Sequence, residues 1–482
     1  MLKYIGNKIF SIIEVLHEKK LSFKIFYAFG QYLNFLLNGL RSFVLALFLL
    51  PSEFSLVILY FSSIQMLPYL GLGVRESLSI KLAKSKSKTV TMFLIVGSFF
   101  SILYIIPLVI ILISCIIYFD FILNDFSNIK IILSITLPIS FFLVLNELLK
   151  NILRQMEKFN IIFSSEIVYS ITIFLLAIIA SSKILDVVTS LILFSLSNLI
   201  TTIILSYYVF KLNNISFKTL IEHKSVKQSF TLIKSGIGFM FLNILLQTPI
   251  QVCLWISVNK YSEIEGANFS FSFILNQVLL IGLGALSWTF VPKMISAFQV
   301  SGNKLKKVFI DFYSITGSSS IFFSLVIFIL PLVSLLFQQY QQYQNSFILL
   351  SASTYILIYG TPAVTYCLST DRKLTVIFCA FLGYLVFLLL ILIFKDLSTY
   401  LKIGSGIEIL SISLLTGTFF SYQLLNLILL RKSKNCILIA ILIKTIVFLS
   451  CFFCYNHIYY IAIIYFIVFS FYIPRFIKIL YK

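Results

Sequence analysis

Apolar runs of about 18 to 30 residues recur from one end of the chain to the other, separated by short polar connections. Each approaches or exceeds the ~20 apolar residues that carry an α-helix across a hydrocarbon core. Their edges fall near 27–50, 54–74, 90–118, 130–149, 161–182, 187–210 and 234–258 in the first part of the chain. The rest lie near 266–291, 308–336, 346–369, 374–394, 405–430, 435–454 and 458–477. The pattern predicts an all-α membrane protein with about 14 transmembrane helices. A membrane β-barrel would show alternating segments of ~10 residues instead. The longest internal connection, 211–233, has room for a surface helix but not for a folded domain. Before the first run, Ile5, Ile9, Ile12, Ile13 and Leu16 share one helical face with lysines around it. Residues 1–24 therefore read as a cytoplasmic amphipathic segment on anionic lipid, or as a plain polar lead-in. The first run has no small-residue cleavage site after it, so the first spanning helix is expected to direct insertion.

The runs repeat. "LNFLLN" (33–38) returns as "LNILLQ" (242–247), "SEF" (52–54) as "SEI" (262–264), and "LGLG" (70–73) as "IGLG" (281–284). The offset stays near 210 residues and the topological positions match. Spans one and two then correspond to seven and eight. Six spans per repeat keep both halves in the same orientation, which describes parallel repeats with a substrate path between two lobes. The expected organisation is an N-lobe of helices 1–6 (25–210), a cytoplasmic linker (211–233) and a C-lobe of helices 7–12 (234–430). Helices 13 and 14 with a cytoplasmic tail (431–482) follow as an appendix.

Composition agrees: 60% of residues are hydrophobic and 11% charged, where soluble domains carry about 25% charge. The formal charge of +20 would suggest nucleic acid in a soluble protein. Topology explains it better. With the N-terminus in the cytoplasm, thirty of the 37 Lys and Arg fall on the cytoplasmic side and five outside, with Arg41 and Lys444 inside spans. That asymmetry fits the positive-inside rule, places both termini in the cytoplasm and excludes nucleic acid as the partner. The seven cysteines all lie in apolar runs and read as small apolar filler, Cys451 and Cys454 included. The three histidines are scattered, so neither a metal site nor a catalytic triad is expected.

Polar residues break the apolar pattern in an ordered way. Gln31, Asn34, Asn38 and Arg41 fall within an ~80° arc of span one, and Asn243, Gln247 and Gln251 within a similar arc of span seven. Two repeat-related helices with polar faces should line one interior. Single carboxamides can be read as glue between helices, worth about 0.6 kcal/mol each. Arg41 fits that reading poorly, because an Arg at mid-span costs about 2.5–3.5 kcal/mol on the insertion scale. The nearby outer interface is its other escape. A hydrated cavity holding a guanidinium for an anionic, phosphate-bearing substrate explains it better. The repeat position of Arg41 in the second half is Ile250, so charge would come from one lobe and carboxamides, suited to sugar hydroxyls, from both.

Gln65, in mid-span two, and Arg75, at its cytoplasmic end, are further substrate-binding candidates, with interfacial anchoring the plain alternative for Arg75. Glu147 and Glu166 sit near the cytoplasmic ends of spans four and five. They are candidates for a coupling H⁺ or Na⁺, or for pairing with Lys150 or Arg154. Lys444 has no obvious partner and is expected at a groove or a lipid headgroup. The tract "QQYQQYQN" (338–345) reads as a polar outer loop.

The stretch "LRSFVLALFLLPSEFSLVILYFSSIQMLPYLGLGVRESLSIKLAK" (40–84) resembles the opening of polysaccharide-type flippases. These belong to the multidrug/oligosaccharidyl-lipid/polysaccharide exporter superfamily. The resemblance implies a central cavity formed largely by helices one, two, seven and eight, and alternating access. It implies transfer of undecaprenyl-pyrophosphate-linked oligosaccharide, of O-antigen or capsule type, across the bacterial inner membrane. A cationic cavity is also implied, with Arg41 at the matching position. The expectation is a transporter without enzymatic activity or cofactor, meeting the lipid-linked oligosaccharide, the bilayer, and a polysaccharide polymerase and chain-length regulator. Alternatives are a flippase for a peptidoglycan precursor or other lipid-linked sugar, a cation-coupled drug exporter, and, from another class, a membrane-embedded polymerase.

Overall fold

The fold is taken from a computed structural model, which describes residues 22–84, 92–103, 107, 110–111, 127–156, 158–182, 186–213, 223–298, 303–340, 342–370, 372–401, 406–430, 434–455 and 457–480. The segment 1–21, with the amphipathic face expected there, lies outside the described residues. Helices in chain order are α1 (Ser22–Phe48), α2 (Pro51–Met66), α3 (Val74–Lys84), α4 (Ser127–Gln155) and α5 (Phe159–Ser181). They continue with α6 (Val187–Asn213), α7 (His223–Lys260), α8 (Glu263–Ala297), α9 (Asn303–Ser318) and α10 (Ser320–Leu336). The last are α11 (Tyr343–Ser369), α12 (Lys373–Leu401), α13 (Gly406–Leu429), α14 (Lys434–Cys454) and α15 (Ile458–Leu480). The described residues form no strand, and ten helices are long and apolar enough to cross a membrane. This is a polytopic all-α membrane protein, as the periodicity predicts.

Two differences from the predicted spans have local causes. The single run 308–336 becomes two helices, α9 and α10, joined at Ser319 in the run Gly317-Ser318-Ser319-Ser320. Ser319 N–H bonds the Thr316 carbonyl at 3.3 Å in an i→i+3 pattern, a tightened turn inside a span. The span expected from 234 begins earlier, because α7 is already helical at His223. The turn of its lysines is polar, so hydropathy alone does not register it as part of the helix.

The starts of α2 and α8 are built alike. α2 opens with Pro51 at its first position, where the missing N–H is not needed, and Glu53 accepts from the Leu50 N–H at 3.1 Å. α8 opens with Ser262 as cap. Glu265 accepts from the Ser262 N–H at 3.3 Å while Ser262 Oγ accepts from the Glu265 N–H at 3.3 Å. In both halves the second helix is started by a Glu three residues past its cap.

The chain divides into two compact units. The first draws on Met1–Leu45, Leu67–Ser114 and Ile135–Ile237, and the second on Ala46–Met66, Cys115–Ser134 and Gly238–Lys482. The first has a core of Val74, Leu78, Ile95, Leu148, Leu149, Ile152 and Leu205. After α2 the chain turns through Leu72 and Gly73, both with positive φ (48° and 70°). A Cβ on Gly73 would lie 2.1 Å from the Gly236 carbonyl oxygen, so this crossing of α3 on α7 admits only glycine.

The second unit is organised around α11, of which 83% of the apolar window is buried. Its run Ser351-Ala352-Ser353-Thr354 is small, which lets α8 and α13 approach closely. α12 and α13 meet backbone to backbone. A Cβ at Gly383 would lie 2.5 Å from the Gly417 carbonyl oxygen, and one at Gly417 would lie 2.7 Å from that of Gly383. In the tract 338–345 Gln338, Gln339 and Gln342 are exposed, in keeping with a polar connection, while its tyrosines pack inward. Tyr340 and Tyr343 are fully buried against Phe271, and Tyr340 OH and Gln339 Nε2 both donate to the Ala46 carbonyl.

Candidate functional site

Within the first unit, Arg41 is half-buried on α1. Its Nη1 donates to Asn38 Oδ1 at 3.0 Å and its Nη2 lies 3.4 Å from Ser42 Oγ. The step of three between Asn38 and Arg41 places the carboxamide one turn below the guanidinium, so it can hold the fork in one orientation. Tyr169 on α5 stands within electrostatic reach of Arg41. The side chains of Gln31 and Asn34 lie outside the described residues.

The same unit holds a chain of charges. Lys150 Nζ lies 3.1 Å from Glu147 and 3.6 Å from Glu166, and Arg75 Nη1 lies 3.3 Å from Glu147. Glu166 is nearly buried, at 7% exposure. Asn151 Nδ2 donates to the Arg75 carbonyl at 2.7 Å and fixes the backbone that carries that arginine. Both glutamates therefore meet cations, the pairing alternative weighed above; for Glu147 the second cation, Arg75, comes from a distant part of the sequence.

Within the second unit a cavity of about 130 Å³ opens between helices, room for on the order of ten waters. Four carboxamides line it, Gln65, Gln251, Asn276 and Gln277, with the rings of Tyr384, Phe387 and Tyr422. Among the described residues that line it, none is charged. Gln251 is buried and committed to the protein: its Oε1 accepts from Ser62 Oγ, and its Nε2 lies 3.5 Å from Gln65 Oε1. Gln65 is exposed. Ile250, the repeat counterpart of Arg41, also lines the cavity. The side chains of Asn243 and Gln247 lie outside the described residues.

Lys444 corrects the expectation of a groove or a lipid headgroup. It is fully buried on α14, with Nζ 5.3 Å from the Tyr422 ring centre and 5.8 Å from that of Tyr359. No hydrogen-bond acceptor meets it among the described residues. The hydrophobic run of span thirteen hides this, because it shows only the lysine and not the tyrosines that other helices bring to it.

Asn276, Gln277, Thr354 and Tyr384 are cavity residues that the sequence reading did not single out. A signal for Asn276 was available. With the offset of 211 that aligns "LGLG" with "IGLG", Gln65 falls on Asn276. The repeat thus places a carboxamide at the same turn of the second helix in each half.

Comparison with known proteins now bears on these sites. A family model described as polysaccharide biosynthesis protein matches residues 24–254, a stretch that contains the 40–84 opening. No curated protein matches the chain. Among solved structures, an inward-facing multidrug resistance MATE family transporter of the MOP superfamily superposes with a TM-score of 0.65 at 13% identity. It covers 90% of this chain and 99% of its own. The lipid II flippase MurJ in an inward closed conformation gives 0.64 at 13% identity, covering 95% and 100%. A eukaryotic MATE transporter gives 0.62 at 15% identity, covering 89% and 98%.

The fold is that of the MATE and MurJ transporters. The resemblance read from residues 40–84 is met by the family match across them. Within the MATE and MurJ fold, Arg41 and the charged chain belong to the first unit here, and the uncharged cavity to the second.

Proposed function

We propose that this chain is a flippase that moves undecaprenyl-pyrophosphate-linked oligosaccharide repeat units, of O-antigen or capsule type, across the bacterial inner membrane by alternating access. The observation that carries the reading is the polysaccharide-biosynthesis match over residues 24–254 on a fold shared with a lipid II flippase. Arg41 supplies the chemistry. Its guanidinium is aligned by Asn38 and Ser42 on a membrane-length apolar helix, where a pyrophosphate would find forked donors. Gln31 and Asn34 continue that face toward the start of α1, and Gln65, Asn243 and Gln247 supply hydroxyl-binding groups, while Gln251 serves a sugar hydroxyl only by leaving Ser62. Arg75 serves an incoming phosphate only by leaving Glu147. Coupling to H⁺ or Na⁺ through Glu147 and Glu166 requires that the ion displace Lys150. The termini lie in the cytoplasm in this reading, and polymerase and chain-length regulator act on the outer side.

Arg41→Ala tests the reading. Surface polysaccharide should be lost while the protein stays in the membrane, and complete repeat units should accumulate facing inward. Normal polysaccharide from this variant would overturn it. A drug exporter for cations fits less well, because no described residue lining the cavity of the second unit is a carboxylate. A polymerase defect would instead let single units reach the surface.

A further inference from the structure

We infer that the cavity of the second unit is a subsite for one uncharged sugar residue of the transported glycan, seated on Asn276. This rests on the flippase reading and specifies which part of the substrate the cavity takes.

Asn276 is fully buried on α8 and lines the cavity. Thr354 on α11 donates its hydroxyl to Asn276 Oδ1 at 2.8 Å. The carboxamide oxygen is thereby engaged and the amide is oriented. Asn276 Nδ2 has no acceptor among the described residues. A buried donor left without an acceptor is costly, and a ligand oxygen entering the cavity would remove that cost. Gln65 and Gln277 add carboxamides beside it, whereas Gln251 is engaged by Ser62.

The remaining walls fix the class of ligand. Among the described residues that line the cavity none is a cation to pair with a phosphate or uronate and none a carboxylate to pair with an amine; Lys444 lies over the Tyr422 ring and is not among them. Moving an ionised group into it would carry the desolvation cost without a partner. Tyr384 and Tyr422 are among the lining residues and supply aromatic surface of the kind that meets the C–H face of a pyranose, while carboxamides take its oxygens. A neutral hexose or N-acetylhexosamine satisfies both demands. The volume, on the order of ten waters, suits one such ring rather than a whole repeat unit.

The test is calorimetric titration of the purified full chain in detergent with three probes. These are a neutral disaccharide containing N-acetylhexosamine, the corresponding uronic acid disaccharide, and undecaprenyl phosphate without sugar. Wild type should bind the neutral disaccharide at least tenfold more tightly than the uronate. Asn276→Leu should weaken the neutral disaccharide at least tenfold and leave undecaprenyl phosphate unchanged. Thr354→Val, which frees Asn276 Oδ1 but keeps the side-chain volume, should give a smaller loss in the same direction. It guards against a folding defect in the first variant, as does a thermal midpoint matching wild type. Equal binding of the two disaccharides, or full binding by a folded Asn276→Leu protein, would overturn the inference. Binding of the lipid without any sugar binding would overturn it and leave the flippase reading standing. Sugar binding without lipid binding would do the reverse.

Discussion

Lys444→Met is expected to raise stability, and the structure gives the size of the effect. The ammonium is fully buried, and its closest aromatic faces are Tyr422 and Tyr359 at 5.3 and 5.8 Å. Cation–π contacts of this kind return about 0.5–2 kcal/mol each. Holding an ion away from water costs several kcal/mol even after relaxation. The cost exceeds the return, so the lysine is kept at a net expense of roughly 1–4 kcal/mol, the range seen when buried ionic groups are replaced by apolar ones. Methionine nearly matches its length and adapts to irregular space. Lys444→Met should therefore raise the thermal midpoint in detergent by a few degrees, on the order expected from that free energy. Lys444→Ala removes the stem as well and leaves a void among Tyr359, Tyr422 and their neighbours. Its cavity cost of about 2–5 kcal/mol offsets the gain, so alanine should fall well below methionine. Fluorescence-detected unfolding of wild type and both variants decides the matter. If methionine and alanine lower the midpoint equally, the ammonium contributes net stability and the reasoning fails. A methionine variant that is more stable yet inactive in polysaccharide export would assign Lys444 to the transport cycle, since stabilising a protein commonly reduces function where a strained group is in use.

Lys150→Met should be destabilising, by less than the ~3–5 kcal/mol of an uncompensated buried charge because Glu147 keeps Arg75; a midpoint equal to wild type would refute the pairing. Gly417→Leu should separate α12 from α13, since even a Cβ there meets the Gly383 oxygen at 2.7 Å. Loss of a monodisperse peak on size exclusion is the expected result. Outside the spans, Thr189 donates from its hydroxyl and amide to Asp186 and holds that carboxyl below its ordinary value. A lowered carboxyl stabilises the fold above its ordinary range, and the contribution disappears as pH falls through the lowered value. Asp186→Asn should narrow the difference between thermal midpoints at pH about 7 and about 3; an unchanged difference would count against the cap.

The sequence by itself determined the class and most of the helical stretches. Each follows from one-dimensional physics. A backbone in lipid must satisfy its own hydrogen bonds, so membrane-length apolar runs become helices. Local spacing is equally direct: the step of three from Asn38 to Arg41 already fixed their bond. The capped starts of α2 and α8 follow from short-range pattern as well. Contacts between distant parts of the chain were decided only by the tertiary structure. Glu147 shows this, because Lys150 is legible three residues away but Arg75 is not. Lys444 shows it again: its environment is made by tyrosines on α11 and α13, which no pattern within span thirteen contains. The cavity stands between these cases. Its carboxamides are visible as polar breaks in apolar runs, and Asn276 could have been reached through the repeat. Which of its two amide atoms is left to meet a ligand depends on Thr354, a residue 78 positions away, because hydrogen-bond satisfaction in a packed interior is settled by whichever helix arrives alongside.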